Sequence, residues 1–374
     1  MRHRPRAPAA QRGHGRSRDV RVRARHLRDA RAARGADAVT DAELAACAAR
    51  FAGRRCLVTG GLGFIGSNLA LALSAAGARV SVVDALIPSH GGNPHNVAGA
   101  AAPIDLVIAD IADAAQVGPL LRDADYVFNL AGQISHLDSM EDPLNDFDLN
   151  ARAHLSFLET LRAVGSRAVV VYSSTRQLYG RPRYLPVDEE HPVQAVDVNG
   201  ISQYAGEQFH LLYARAYGLR ACSLRLTNVY GPRIRISPSR QGVLGVFLRR
   251  VLDDQAITVY GDGAQVRDFL YVDDAVEALL RAALADGAVG HVFNVGHHET
   301  LSLRETAEEM VRVAGSGRVE LVPWPSERAA IDIGDFVSDF GAAQRVLGWQ
   351  PRTAFAAGMR RTVDFFRAHR EWYR

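Results

Sequence analysis

The chain predicts an α/β fold in which a doubly wound parallel sheet carries helices on both faces. Between Arg55 and Leu226, six short runs rich in Val, Ile and Leu alternate with segments of helical period. Strands that read as continuous apolar runs separated by helices belong to parallel sheets covered on both sides. The first run also opens directly into a glycine-punctuated turn and then a helical segment. That strand–turn–helix order builds an anion site at a helix N-terminus.

Arg55–Thr59 is the first strand, and Val58-Thr59-Gly60-Gly61-Leu62-Gly63-Phe64-Ile65-Gly66 turns it into a helix over Phe64–Ala76. Gly60 permits the tight turn, Gly63 lets backbone approach a pyrophosphate, and Gly66 lets the helix pack close to the strand. The second strand, Arg79–Asp84, ends in an acid 18 residues past Gly66. A carboxylate there accepts hydrogen bonds from an adenosine ribose and repels a 2′-phosphate, so NAD is expected over NADP. Further strands follow at Leu106–Ala109, Tyr126–Leu130, Ala168–Tyr172 and Ala221–Leu226, with helices at Asp146–Val164 and Ser202–Tyr217. Ligands are expected at the carboxyl ends of these strands. From about Gly231 the elements shorten, broken by Pro232, Pro238, Gly242, Gly261 and Gly263, and later by Pro323, Pro325 and Pro351. Helices are expected there at Asp273–Leu284 and Ser302–Ala314. The organisation read from this is a disordered Arg-rich leader over 1–50, a Rossmann-type dinucleotide-binding domain over 51–230, and a smaller substrate-binding lobe over 231–374. The lobe is expected to lie over the sheet's carboxyl edge, partly interleaved with it.

At 374 residues, 48% hydrophobic and 23% charged, the chain is long enough for a full α/β domain plus a smaller lobe. No apolar run approaches the roughly 18 residues that would span a membrane. Cys47, Cys56 and Cys222 form no Cys-x-x-Cys pair, so neither a disulfide framework nor a zinc or other metal site is expected, and a cytoplasmic location is. The net charge of +3 conceals an asymmetry: residues 1–50 hold 13 arginines against five acids, a surplus of eight, leaving −5 for the rest. The mildly acidic remainder argues against nucleic-acid binding. Met1 to about Asp37 lacks apolar periodicity and the apolar core of a secretory signal, and reads as an extended start rather than a nucleic-acid arm. The sequence contains no lysine at all. Schiff-base enzymes, PLP enzymes and P-loop NTPases are therefore excluded.

From Arg55 onward, several motifs occur in a fixed order. They are Thr59-Gly60-x-x-Gly63-x-x-Gly66; Asp110-Ile111; Asn129-Leu130-Ala131-Gly132; Ser173-Ser174-Thr175-x-x-x-Tyr179-Gly180; Arg225-Leu226-Thr227-Asn228-Val229-Tyr230-Gly231-Pro232; and Gly261-Asp262-Gly263 with Arg267-Asp268-Phe269 and Tyr271-Val272-Asp273-Asp274. Together they resemble extended short-chain dehydrogenase/reductases of the NAD-dependent epimerase/dehydratase family that act on nucleotide sugars. Ser239-Arg240-Gln241-Gly242 and Asp332-Ile333-Gly334-Asp335 resemble the branch often described as UDP-glucose 4-epimerases. The resemblance implies that Gly60, Gly63, Phe64, Ile65, Gly66, Asp84, Asp110, Ile111, Leu130, Ala131, Ser173 and Gln203 hold NAD. It implies that Asn228, Arg240, Arg267 and Arg328 hold the sugar nucleotide. Arginine's forked, charge-assisted bonds suit a diphosphate. Members commonly pair through two long helices, here Asn150–Val164 and Ser202–Tyr217, so a homodimer is implied as well.

The pattern breaks at the catalytic pair. The family uses Tyr-x-x-x-Lys on the helix after the fifth strand, and a glutamate four residues past the lysine sets the register. With Glu207 as that glutamate, Asn199 stands at the tyrosine position and Gln203 at the lysine position. Glutamine can still hydrogen-bond a ribose, and Asn199 can hold a sugar hydroxyl but cannot exchange its proton near neutral pH. Thr175, at the position that contacts the reacting hydroxyl in the family, is the leading replacement, as a relay. His136, just past the fourth strand, is a titratable candidate set against the plain loop residue that a lone histidine more often is. Tyr204 points about 100° away from Gln203 on a helix and reads as core. Arg176 and Gln177 follow Thr175 where dehydratases carry an acid pair, and neither protonates a leaving hydroxyl. The reading is an NAD-retaining epimerase acting at C4 of a UDP-hexose. A non-catalytic NAD- and sugar-nucleotide-binding protein, and a decarboxylase or dehydratase using an acid such as Glu141, remain as alternatives.

Overall fold

The computed structural model describes residues 41–88, 90–236, 242–324 and 333–373. Its strands are β1 (Arg55–Thr59), β2 (Arg79–Asp84), β3 (Asp105–Ile108), β4 (Tyr126–Asn129), β5 (Val169–Thr175), β6 (Arg220–Leu226), β7 (Asn228–Tyr230), β8 (Ala256–Tyr260), β9 (Val266–Tyr271), β10 (Val292–Val295), β11 (Thr300–Ser302) and β12 (Arg318–Val322). Seven of them form one parallel sheet in the order β10-β6-β5-β4-β1-β2-β3. The order reverses between β1 and β4, and that switch point opens the crevice in which such sheets bind ligands. Alternate residues of each strand serve two cores: Val58, Val82, Phe128 and Val171 pack on one face, and Leu57, Val83, Val127 and Val170 on the other. Burial on both faces is why these strands read as unbroken apolar runs.

The helices are α1 (Asp41–Ala48), α2 (Phe64–Ala75), α3 (Ala114–Asp123), α4 (His136–Glu141), α5 (Pro143–Phe147), α6 (Ala153–Ala163), α7 (Val198–Tyr217), α8 (Val243–Leu252), α9 (Val272–Leu284), α10 (Leu303–Ala314), α11 (Gly341–Leu347) and α12 (Phe355–Ala368). Three boundaries differ from the sequence reading. The leader, read through residue 50, ends earlier: α1 and a following turn bury Cys47, Ala48 and Phe51, and Phe51 meets Tyr126 edge-on at 4.7 Å. Alanine and cysteine make that apolar face too faint to stand out. The helix expected over Asp146–Val164 is interrupted by a π turn, Asp148–Arg152, between α5 and α6. Helix α7 starts four residues earlier than expected because Asp197 caps it, its Oδ1 accepting the Gly200 N–H at 2.7 Å.

The rest of the chain supplies two small sheets, β11-β9-β7 and β12-β8. Strand β10 returns to the edge of the large sheet against β6, so the C-terminal part and the sheet share one core. No described helix is long and apolar enough to cross a membrane. A buried ion pair ties α7 to β6. Arg225 donates from Nε and Nη2 to the two Glu207 oxygens at 2.9 and 2.6 Å, and from Nη1 to Tyr179 Oη at 2.6 Å. Glu207→Ala leaves that guanidinium buried with only the phenol. It should lower stability by about 3–5 kcal/mol in denaturant titration, and a loss below ~1 kcal/mol would refute the pairing's importance.

Candidate active site

The turn after β1 is closed by Gly60, which sits at φ +63°. Its N–H donates to Val83 O at 2.8 Å, and a Cβ there would lie 2.8 Å from Leu130 O. At Gly66 a Cβ would stand 2.3 Å from Gly60 O, whereas at Gly63 it would meet only Gly60 O, at 3.1 Å. Helix α2 therefore abuts the turn at Gly66 and stays approachable at Gly63. Gly63 is the N-cap and supplies no side-chain cap, which leaves the donors around Phe64 and Ile65 for an anion. Asp84 is fixed beside the turn, Oδ2 accepting Leu62 N–H at 3.0 Å and Oδ1 accepting Leu86 N–H at 2.9 Å. Each oxygen keeps a further lone pair for a ribose hydroxyl. Asp110 and Ile111 follow β3; Asp110 is exposed and Ile111 buried. Ser173 is half-buried on β5 opposite Leu224. These features fit a dinucleotide.

Behind the turn lies a buried polar web. Thr59 Oγ1 donates to Asn129 Oδ1 at 2.7 Å and accepts the N–H groups of Leu130 and Ala131 at 3.1 and 3.2 Å. The Asn129 amide reaches His154 Nδ1 at 3.0 Å and His210 Nε2 at 3.1 Å, while His210 Nδ1 lies 2.7 Å from Gly206 O. Both imidazoles thus accept from one amide, the arrangement of neutral rings. Burial pushes His154 down to about 3 and His210 to about 4.

Asn199 and Gln203 lie inside a second web. Asn199 is fully buried, and its amide donates to Gln133 O at 2.8 Å and Asp146 Oδ2 at 2.9 Å. Gln203 Nε2 donates to Gln133 O at 3.1 Å and Asn199 Oδ1 at 3.2 Å. Asn150, in the π turn, bonds both Gln133 and Asp146. Gln133, Asp146 and Asn150 escape the sequence reading, because nothing local links Gln133 to partners 17 and 66 positions away. The two amides face protein groups here rather than an open sugar pocket.

Thr175 ends β5, and its Oγ1 accepts Gln177 N–H at 3.2 Å. The Gln177 side chain touches the His136 ring, and His136 Nδ1 is hydrogen-bonded to Asp197 Oδ2. Arg176 turns the other way and donates to Asn228 Oδ1 at 3.0 Å, its guanidinium 5.0 Å from the Phe336 ring. Burial, with Arg267 nearby, pushes Arg176 down to about 10. Asn228 donates to Asp268 O at 3.1 Å, and the buried Arg267 donates to Val266 O at 2.9 Å and to Gly334 O. Tyr204 packs with Leu178, Tyr179, Val187 and Phe336. Arg240 and Arg328 lie outside the described residues.

The model of the NAD dependent epimerase/dehydratase family matches residues 56–296. A UDP-glucose 4-epimerase of Mycolicibacterium smegmatis is 35% identical over 317 residues, 84% of this chain and 98% of that protein. A putative UDP-glucose 4-epimerase of Methanocaldococcus jannaschii is 33% identical over 312 residues, 83% of this chain and 98% of its own. The solved structure of a Thermus thermophilus UDP-glucose 4-epimerase in complex with NAD superposes with a TM-score of 0.73 at 34% identity, over 84% of this chain and 99% of that one.

Proposed function

Because the chain belongs to the NAD-dependent epimerase/dehydratase family, we propose that it is a nucleotide-sugar epimerase acting at C4 of a UDP-hexose through a transient 4-keto sugar. The observation that carries this reading is the turn after Thr175. Where a dehydratase needs an acid, Arg176 is turned to Asn228 and Gln177 to His136. Neither protonates a leaving hydroxyl, and C4 epimerisation needs no such acid. When bound, NAD supplies the hydride acceptor and donor. The chain's own part is to hold and orient. The turn at Gly60, Gly63 and Gly66 receives the pyrophosphate, with Phe64 and Ile65 at the helix start. Asp84 takes the adenosine ribose, with Asp110, Ile111, Leu130, Ala131 and Ser173 around the coenzyme. Thr175 holds the reacting hydroxyl, and Asn228 and Arg267 hold the sugar nucleotide. Asn199 and Gln203 act as a rigid floor beneath it.

Incubation with UDP-glucose and UDP-galactose tests the reading: interconversion without net NADH is expected. Carbon dioxide from UDP-glucuronate would favour decarboxylation, and binding without turnover would favour a non-catalytic binding protein.

A cytoplasmic homodimer belongs to the same reading. Ile201 and Leu212 are 60% and 47% exposed on α7, and Leu144 and Phe147 are 76% and 48% exposed on α5. Ile201, Ala205 and Leu212 share one helical face with Gln208, and large apolar side chains exposed to water there are best covered by a second copy. Light scattering should give twice the 40.6 kDa chain mass, and Ile201→Glu with Leu212→Glu should halve it. A monomeric wild type overturns the pairing.

A further inference from the structure

Position 199 lacks a proton-exchanging group, yet the structure builds one next to it from two other elements. His136 opens α4 just past the carboxyl end of β4, and Asp197 caps α7 two residues before Asn199. The Asp197 side chain is 3% exposed and the His136 side chain 39%. The carboxylate is thus sealed behind an imidazole that reaches open space. With Nδ1 against Asp197 Oδ2, the neutral ring carries its proton on Nδ1, and Nε2 is left as the acceptor, contacted by the Gln177 amide. The Gln177 backbone N–H is in turn held by Thr175 Oγ1 at 3.2 Å. The ring and the threonine hydroxyl therefore flank a single short turn.

We propose that His136, oriented by Asp197, is the group that takes the proton from the sugar hydroxyl and returns it. The inference rests on the epimerase reading above. In the forward half the O–H bond at C4 breaks, its proton passes to His136 Nε2, and the C4=O bond forms as the C4 hydride passes to NAD. The keto sugar then turns over, hydride returns to the opposite face of C4, and His136 Nε2 gives its proton back to the C4 oxygen. The sugar hydroxyl takes the place of the Gln177 amide on Nε2, and Asp197 stabilises the imidazolium. A buried carboxylate on the far nitrogen is the usual device for holding a catalytic imidazole in one tautomer. Asp197 from α7 is the charged group on the ring, with Arg176 from the turn after β5 acting on that carboxylate and Asp138 on α4 itself, while Asp146 from α5 is engaged by Asn150 and Asn199. Burial pushes the Asp197 carboxyl up, but His136, the Gly200 N–H and Arg176 outweigh it and hold it below the usual range.

The test compares wild type, His136→Gln and Asp197→Asn. Interconversion of UDP-glucose and UDP-galactose, copurified NAD and UDP affinity are measured in each, with ¹⁵N spectra of the histidine side chains taken before and after adding UDP-glucose. His136→Gln should lose roughly 10²–10⁴-fold in kcat, with NAD content and UDP affinity within about twofold of wild type. Asp197→Asn should move the acid limb of the wild-type kcat–pH profile. The His136 Nε2 resonance, identified by its absence in the variant, should shift on adding UDP-glucose. A kcat kept within about threefold in His136→Gln overturns the proposal. A wild type without turnover would sink the epimerase reading. The spectral arm needs no turnover, and an Nε2 resonance indifferent to bound UDP-glucose sinks the His136 proposal by itself.

Discussion

Replacing Gly66 with alanine is expected to strip the protein of NAD and to destabilise it as well. The added methyl would sit 2.3 Å from Gly60 O and 2.9 Å from Gly61 Cα. Both are backbone atoms of the turn, so no side chain can rotate aside to make room. Relief requires α2 to lift from the end of β1, which carries the helix N-terminus away from the pyrophosphate position. Overpacking of this kind costs about 1–3 kcal/mol or more, and the same displacement should weaken NAD binding roughly a hundredfold, equivalent to about 2.7 kcal/mol. Gly63→Ala is the control that separates the two effects. Its methyl would meet one atom, Gly60 O, at 3.1 Å, so folding should lose less than about 1 kcal/mol while coenzyme affinity still falls. Calorimetric titration with NAD and thermal melts of both variants check this. Full NAD affinity in Gly66→Ala would mean that the turn does not hold the coenzyme.

The parts of this architecture that are legible in sequence are those whose signal is local. Strands β1 and β2 can be read to the residue because an apolar run and its flanking glycine or acid sit within a few positions. The end of β5 cannot: Ser173, Ser174 and Thr175 are polar, and only pairing with Leu224, Arg225 and Leu226 on β6 makes them strand. The start of α7 is hidden for a similar reason. Asn199 and Gly200 are weak helix formers, and what starts the helix there is the Asp197 cap. The candidate site is legible only in its glycine turn, its acid and its motif positions. His136 and Asp197 lie 61 residues apart, and nothing in either neighbourhood announces the other. They meet because β4 and β5 are adjacent in the sheet, which brings the loop after one against the helix after the other. The web around Asn199 depends likewise on the π turn, which sets Asn150 against Gln133.

Acid should unfold this protein steeply, because three fully buried histidines must stay neutral in the native state. Burial pushes His154 and His297 down to about 3 and His210 to about 4, from an ordinary 6.5. Between those values and 6.5 the unfolded chain binds protons that the folded chain refuses, so stability is intact above about 6.5 and falls as the pH drops through that window. Each proton contributes about 1.4 kcal/mol per pH unit, so three give a ceiling of roughly 4 kcal/mol per unit. Asp268 and Asp274 work in the opposite sense. Burial raises both carboxyls, so the folded state takes up their protons earlier than the unfolded chain and recovers part of the loss. Even half the ceiling would remove about 4–6 kcal/mol within two or three pH units, comparable to the whole stability at the lower end of a typical 5–15 kcal/mol. His210→Gln isolates one contribution. A glutamine can still accept from the Asn129 amide and donate to Gly206 O, the two bonds His210 makes, but it does not titrate. Denaturant titrations between pH 4.5 and 7 should show the variant's slope reduced by about one proton, roughly 1.4 kcal/mol per unit. An unchanged slope would mean that His210 is already protonated in the folded protein, and the neutral web behind the coenzyme turn would then have to be redrawn with a charge at its centre.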